Sequence, residues 1–304
     1  MIVTHGTLRA CRGPWAVTIG NFDGVHLGHR ALLERVSRKA RELGTGSCVL
    51  TFEPHPREFF LGSAAPPRLS RLRDKLEAMA LSGVGRVHVA RFNAGLAALS
   101  PERFVREILV EGLQARWLAV GRDFRFGQGR AGDFAALQAA GREYGFEVEA
   151  LADVMVDGER VSSSAVRAAL AAGDFARAER LLGRRYAISG KAVHGAGLGR
   201  ELGFPTANIP LRRPPPLAGI YVVREKTHGP AVASLGWRPT VNPVPRPLLE
   251  VHLLRGSPRL YGERLRVEFL AKLRDEEKFA DLDQLKGAIA RDVERAEEYF
   301  ARHG

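Results

Sequence analysis

The sequence predicts a doubly wound parallel α/β sheet followed by a small antiparallel β-barrel with a C-terminal helix, and three observations support this. Short apolar runs alternate with amphipathic helical spacings up to about residue 184. From Arg185 the texture changes to β-type segments separated by Gly and Pro, and helical spacing returns only at 281–300. Alternating strands and helices imply parallel βαβ units. Closely spaced short strands with one closing helix suit an antiparallel barrel. The boundary is expected at Gly183-Arg184-Arg185, giving regions 1–184 and 185–304.

Trp15–Ile19 is a short apolar run ending at Gly20, as a buried strand requires. Leu32, Leu33, Val36, Ala40 and Leu43 then fall on one helical face, with Gly44 as the stop. Ser47–Phe52 is the next strand, followed by helix 71–82, strand 86–90, helix 101–110, strand 117–121, helix 133–144, strand 146–150 and a helical stretch Asp174–Leu182. In the second region strands are expected at 186–194, 219–224, 231–235, 249–254 and 265–270. Leu282, Leu285, Ile289, Val293, Ala296 and Phe300 form the final helical stripe. Arg212-Arg213-Pro214-Pro215-Pro216 reads as a stiff surface loop. Ligands of doubly wound sheets sit beyond the carboxyl ends of the strands, which directs attention to the turns after Ile19, Phe52 and Val120.

Composition narrows the class. Of 304 residues, 45% are hydrophobic and 26% charged, a globular profile. No run approaches the roughly eighteen apolar residues of a membrane-spanning helix, and the first residues lack the basic and apolar segments of a signal peptide. Cys11 and Cys48 stand in no metal-binding spacing, so neither a disulfide framework nor a structural zinc is expected, and the cytoplasm is the default location. The net charge of +12 admits three readings: an Arg-rich soluble surface, a nucleic-acid binder, or a protein handling anionic substrates. The basic residues form no tail or block and are not interleaved with aromatics, which argues against a stacking platform for nucleic acid.

Gly20-Asn21-Phe22-Asp23-Gly24-Val25-His26-Leu27-Gly28-His29 joins the first of these strands to the helix after it. Two histidines three apart at a helix start place both imidazoles on one side, where exposed N–H groups and the dipole favour an anion. Gly24 and Gly28 let backbone approach a phosphate chain closely. Alone, the pattern also fits a helix entry with two surface histidines. The HxGH segment resembles the nucleotidyltransferase superfamily. Together with Thr51–Pro56, Gly121–Gly127 and Ser162–Arg167, it is similar to the FMN adenylyltransferase domain of bacterial bifunctional riboflavin kinase/FAD synthetases. That resemblance implies ATP contacts from Gly20, Asn21, Phe22, Asp23, Gly24, His26, His29, Asp123, Ser163, Ser164 and Arg167, with His26, His29 and Arg167 catalytic. It implies flavin contacts from His55, Phe124 and Arg125. Capping is the plain alternative for Ser163 and Ser164, as is a satisfied loop position for His55. Ala165 departs from a larger basic residue common in the family.

In the second region, His194-Gly195-Ala196-Gly197-Leu198-Gly199-Arg200 leads into Leu202-Gly203-Phe204-Pro205 rather than a helix, so it is not read as a dinucleotide loop. No GxxxxGK[ST] segment exists, which excludes a P-loop kinase. Gly203-Phe204-Pro205-Thr206-Ala207-Asn208 resembles the PTAN motif of riboflavin kinases, flanked by Gly219-Ile220-Tyr221, Gly236–Thr240, Glu250–Leu253 and Leu260–Gly262. Alternate residues of an extended segment face one way, so Thr206 and Asn208 offer two neutral oxygens together, a donor set suited to Mg²⁺ held largely through phosphates. The resemblance makes Thr206 and Asn208 the metal ligands, Gly195, Gly197, Gly199, Pro205, Thr206 and Asn208 the ATP contacts, and Glu250 the base or orienting acceptor. Departures are Ser234 for the usual Asn, and Arg255 and Arg259 where acidic residues are common.

Taken whole, the resemblance implies an enzyme that phosphorylates riboflavin to FMN and then adenylylates FMN to FAD, using ATP and Mg²⁺. Its partners are small molecules, with no nucleic acid or membrane, and the chain is a monomer or a loose homo-oligomer. A nucleotidyltransferase acting on another phosphorylated acceptor and a non-enzymatic nucleic-acid binder are the competing readings.

Overall fold

A computed structural model of the chain describes residues 1–6, 13–195, 197–238, 246–256 and 258–303. Cys11, Ala196, Pro239 and Thr240, singled out above, lie outside the described residues. The described chain divides into two compact units, Met1–Pro66 with Leu72–Ser162, and Pro67–Arg71 with Ser163–Gly304.

In the first unit, β1 (Ile2–His5), β2 (Trp15–Ile19), β3 (Gly46–Glu53), β4 (Arg86–Arg91), β5 (Ala115–Gly121) and β6 (Glu147–Leu151) form one sheet in the order β1-β4-β3-β2-β5-β6. Every pairing is parallel, as the alternation predicted. The helices are α1 (Leu27–Glu42), α2 (Pro56–Leu61), α3 (Leu72–Ala80), the short α4 (Ala94–Ala97) and α5 (Pro101–Arg103), and α6 (Phe134–Tyr144). Both faces of the sheet are buried. Val17, Ile19, Cys48, Leu50, Leu118 and Val120 pack into one core, and Ala16, Val49, Val87, Trp117 and Ala119 into the other. Parallel strands buried on both sides read as continuous apolar runs, which is why they were legible.

Beyond α2 and α4, which were not anticipated, two further elements differ from expectation. Ile2–His5 forms an edge strand, β1, too short and mixed to register as apolar periodicity. The helix expected at 101–110 is one α turn, α5, followed by a π-helical stretch Phe104–Gly112. There Val105, Leu109 and Leu113 recur every four residues and are all buried, a spacing that suits the wider turn.

A small hairpin, β7 (Met155–Val156) with β8 (Glu159–Arg160), ends the first unit. The second unit opens with α7 (Ser163–Ala171) and α8 (Phe175–Leu182). Phe175 packs against Tyr221 and Phe269. Six antiparallel strands follow: β9 (Ala187–Lys191), β10 (Ala207–Pro210), β11 (Gly219–Glu225), β12 (Gly229–Arg238), β13 (Arg246–Leu253) and β14 (Arg264–Arg274), in the order β10-β13-β12-β11-β14-β9. A Val193–Asn208 bridge joins the two ends, so the sheet nearly closes into a barrel. Between β9 and β10 lies a single helical turn, α9 (Leu198–Glu201). The glycine loop therefore does enter a helical turn, contrary to expectation, but from an antiparallel sheet rather than a βαβ unit. The last helix, α10 (Leu282–His303), sets Ala296 against Ile220, Val222 and Val232.

Candidate active sites

The turn after β2 is tightly folded. Phe22 (φ 51°), Gly24 (φ 85°) and Val25 (φ 42°) all adopt the left-handed conformation. For a β-branched residue this costs on the order of 1–3 kcal/mol and persists only where packing over-determines it. Phe22 and Val25 are fully buried, which supplies that packing. The chain then enters α1 with His26 as its N-cap, its Nδ1 accepting the His29 N–H at 3.3 Å. The two imidazoles stack with centroids 3.6 Å apart, and Phe22 lies 5.0 Å from His29. A Cβ on Gly28 would sit 3.3 Å from the His26 ring, a tight contact that the ring would have to shift slightly to accept. His26 and Asp23 are buried. The sequence expectation of two histidines on one side of a helix mouth is met.

Other predicted residues hold definite local partners. His55 caps α2 by accepting the Arg57 N–H at 3.0 Å. Asp123 accepts from Arg160 at 2.9 Å, and Arg160 also reaches Asp153 at 3.0 Å; Asp123 strengthens the charged form of that guanidinium. Arg125 pairs with Asp133 at 3.3 Å and Phe124 stacks on Phe126. Ser163 and Ser164 are the first two residues of α7, one position later than capping requires, so Ser162 takes the position before the helix. Arg167 belongs to the second unit, where its Nε donates to the Pro67 carbonyl at 2.7 Å.

Sequence reading missed Lys75. It is buried, and its Nζ donates to the Asn21 carbonyl and to Thr51 Oγ1, each at 3.0 Å. The signal was present: Leu72, Lys75, Leu76 and Met79 follow helical spacing, with a cation on the apolar face.

In the barrel, register assembles the second site. Asn208 on β10 stands directly opposite Glu250 on β13, and Glu250 stands opposite Ser234 on β12. Directly opposed residues bring Cβ atoms to about 5 Å. Thr206, Asn208, Ser234 and Glu250 line one cavity of about 310 Å³, with Gly197 and Gly199 at its edge. The glycine segment lies close above them. A Cβ on Gly195 would fall 2.3 Å from Asn208 Nδ2, and one on Gly199 would fall 2.6 Å from the Phe204 carbonyl oxygen and 3.3 Å from Thr206 Oγ1. His252 bonds the Pro205 carbonyl through Nδ1 at 2.9 Å, fixing the bend before Thr206. Arg255 and Arg259 are exposed and do not line the cavity, whereas Ser234 does.

Arg274 and Asp292 also line this cavity and were not anticipated. Asp292 is buried and accepts from Arg274 Nε at 2.9 Å and 3.1 Å and from Nη2 at 2.7 Å. A carboxylate inside the α10 apolar stripe was its sequence signal. Among the described residues no group of three or more His, Cys, Asp or Glu is arranged to hold a metal.

Residues 9–165 match the FAD synthetase family and residues 182–300 the riboflavin kinase family. The bifunctional riboflavin kinase/FMN adenylyltransferase of Escherichia coli strain K12 is 48% identical over 301 residues, covering 97% of this chain and 96% of its own. That of Pseudomonas fluorescens is 52% identical over 283 residues, covering 92% and 91%. The chain belongs to the bifunctional riboflavin kinase/FMN adenylyltransferase family. A solved structure described as a macrolide-efflux protein from Streptococcus pneumoniae is 26% identical, with a TM-score of 0.80 over 98% of this chain and 99% of that one. The efflux name is that protein's. No helix among the described residues here is long and apolar enough to cross a membrane. The histidine turn falls in the first matched region and the Thr206–Glu250 group in the second.

Proposed function

We propose that the chain performs its two transfers at two separate places: riboflavin is phosphorylated in the barrel cavity, and FMN is adenylylated at the His26–His29 turn. As a member of this family it is a phosphorus-transferring enzyme of flavin cofactor biosynthesis. The observation that carries the residue assignment is the Asn208–Glu250 pairing inside a cavity roofed by glycines.

The kinase step starts from a neutral ribityl hydroxyl. Glu250 accepts and orients that hydroxyl proton as the oxygen approaches the γ-phosphorus of ATP. Thr206 and Asn208 offer neutral oxygens that fit Mg²⁺, which when bound neutralises charge on the phosphates. The backbone at Gly195, Gly197 and Gly199 approaches the phosphate chain, and Pro205 sets the bend that presents Thr206.

The adenylyl step needs no base, because the FMN phosphate is already ionised when it attacks the α-phosphorus; the bond from that phosphorus to the β-phosphate oxygen breaks and pyrophosphate leaves. Alignment and positive potential are what the protein supplies. His26, His29 and the amides of the turn from Gly20 to Gly24 meet the inner phosphates, while Asp123 serves the nucleotide and His55, Phe124 and Arg125 the flavin. Regions 1–184 and 185–304 are the proposed catalytic divisions. The chain acts in the cytoplasm as a monomer or loose homo-oligomer on small molecules, without a nucleic-acid or membrane partner.

The test follows riboflavin and FMN separately in the intact protein with Mg-ATP, resolving flavins by chromatography. His29→Ala is expected to lose FMN-to-FAD conversion by about 10²–10³-fold, the size typical of a removed charge-stabilising donor, while riboflavin phosphorylation persists. Loss of both steps would refute separate sites.

A further inference from the structure

We infer that Lys75 is a positioning residue for adenylyl transfer, acting through the Asn21 carbonyl to set the backbone of the phosphate turn. The inference rests on the reading of the His26–His29 turn given above. Lys75 projects from α3 into the core beside Leu72, Leu76 and Met79, and is only 4% exposed. Removing an ammonium from water costs several kcal/mol, so a lysine kept in a mainly apolar core calls for a use. Its contacts supply one. Nζ donates to the Asn21 carbonyl and to Thr51 Oγ1, and Thr51 Oγ1 donates to the same carbonyl at 3.3 Å. Two donors from different elements, α3 and β3, therefore converge on one carbonyl at the first bend after β2.

The consequence follows from peptide geometry. In a planar trans peptide the C=O and the following N–H point in opposite directions. Fixing the Asn21 carbonyl toward Lys75 turns the Phe22 N–H away from it. The same bonds constrain the residue preceding Phe22, whose left-handed backbone is otherwise unfavourable. Lys75 also brings its amino group to the start of the turn that leads into the α1 N-terminus, where exposed N–H groups favour an anion.

Lys75→Met keeps the length and apolar fit of the side chain and removes the charge. Replacing a buried charge by a fitting apolar group is often neutral or stabilising, so the melting temperature is expected to hold or rise. The kcat for FMN-to-FAD conversion is expected to fall by about tenfold or more, with riboflavin phosphorylation in the same protein unchanged as the internal control. A merely structural lysine would give the reverse, an altered melting temperature with unchanged kcat of the folded enzyme. Thr51→Val, which removes one of the two donors and preserves shape, is expected to lower the same kcat several-fold and serves if Lys75→Met does not fold. Unchanged adenylyl transfer in Lys75→Met, or in Thr51→Val where the first variant does not fold, overturns the inference. Full activity in His29→Ala would instead overturn the site reading itself, so the two failures are distinguishable.

Discussion

Asn208 and Glu250 face each other across β10 and β13, so an amide and a carboxylate 42 positions apart in the chain form adjacent walls of one cavity. Glu250→Gln keeps the shape and removes the proton acceptor. It is expected to cut riboflavin phosphorylation by about 10²–10⁴-fold, the usual worth of general acid–base catalysis, while FMN-to-FAD conversion is retained. Asn208→Ala should show the same selectivity, with a higher Mg²⁺ concentration needed to reach half-maximal rate. Timed assays of each half-reaction check both.

The glycine roof has a geometric requirement. Gly195→Ala would place a methyl 2.3 Å from Asn208 Nδ2, so either the loop or the amide must move. The expected result is an increased KM for ATP in the kinase step with little change in melting temperature, since the loop carries little of the core. Steady-state kinetics against ATP decides it.

Asp292→Asn leaves the partly buried Arg274 facing a neutral amide, with Glu277 at 3.8 Å as a remaining carboxylate neighbour. Breaking such a pair typically costs about 3–5 kcal/mol, and the slight exposure of Arg274 argues for the lower end. Denaturant unfolding should show a lowered midpoint, with kinase activity failing at a lower temperature than in the parent chain.

Arg35 holds Glu149 through two bonds, at 2.9 Å and 2.7 Å, and that hydrogen bonding draws the Glu149 carboxyl below its ordinary value of 4.5. The folded state therefore binds this proton less readily than the unfolded state. Its stabilising contribution is present above about pH 4.5 and disappears as pH falls through the lower folded value. Because Glu149 is about one-third exposed, the contribution is about 0.2–1 kcal/mol. Glu149→Gln should lower the melting temperature by about 1–2 °C at neutral pH, with a difference that shrinks as pH falls below about 4.5, measured in paired thermal melts.

Much of this was legible in the residues. The β2, β3 and β5 strands were continuous apolar runs, and the α1 face and the α10 stripe carried helical periodicity; the structure has each element, with Leu43 and Leu282 of those stripes exposed. His26 and His29 were placed correctly because a spacing of three at a helix start has one geometric outcome. Thr206 and Asn208 were likewise fixed by alternation in an extended segment. What escaped depended on long-range pairing. The meeting of Glu250 with Asn208 is a matter of sheet register, which local spacing does not encode, and only the family resemblance linked them. Lys75 and Asp292 were hidden as single charges within apolar helical faces, where pattern reading looks for the majority. The π-helical winding at Phe104–Gly112 was missed because its four-residue recurrence passes for an ordinary amphipathic helix.

The contorted bend carrying Phe22, Gly24 and Val25 has a thermodynamic meaning for turnover. Its unfavourable torsions are imposed once, when the polypeptide folds and the core closes around two large apolar side chains. On the proposed reading, a triphosphate at α1 would meet amides already aimed, and little of its binding energy would be diverted into reshaping the receptor.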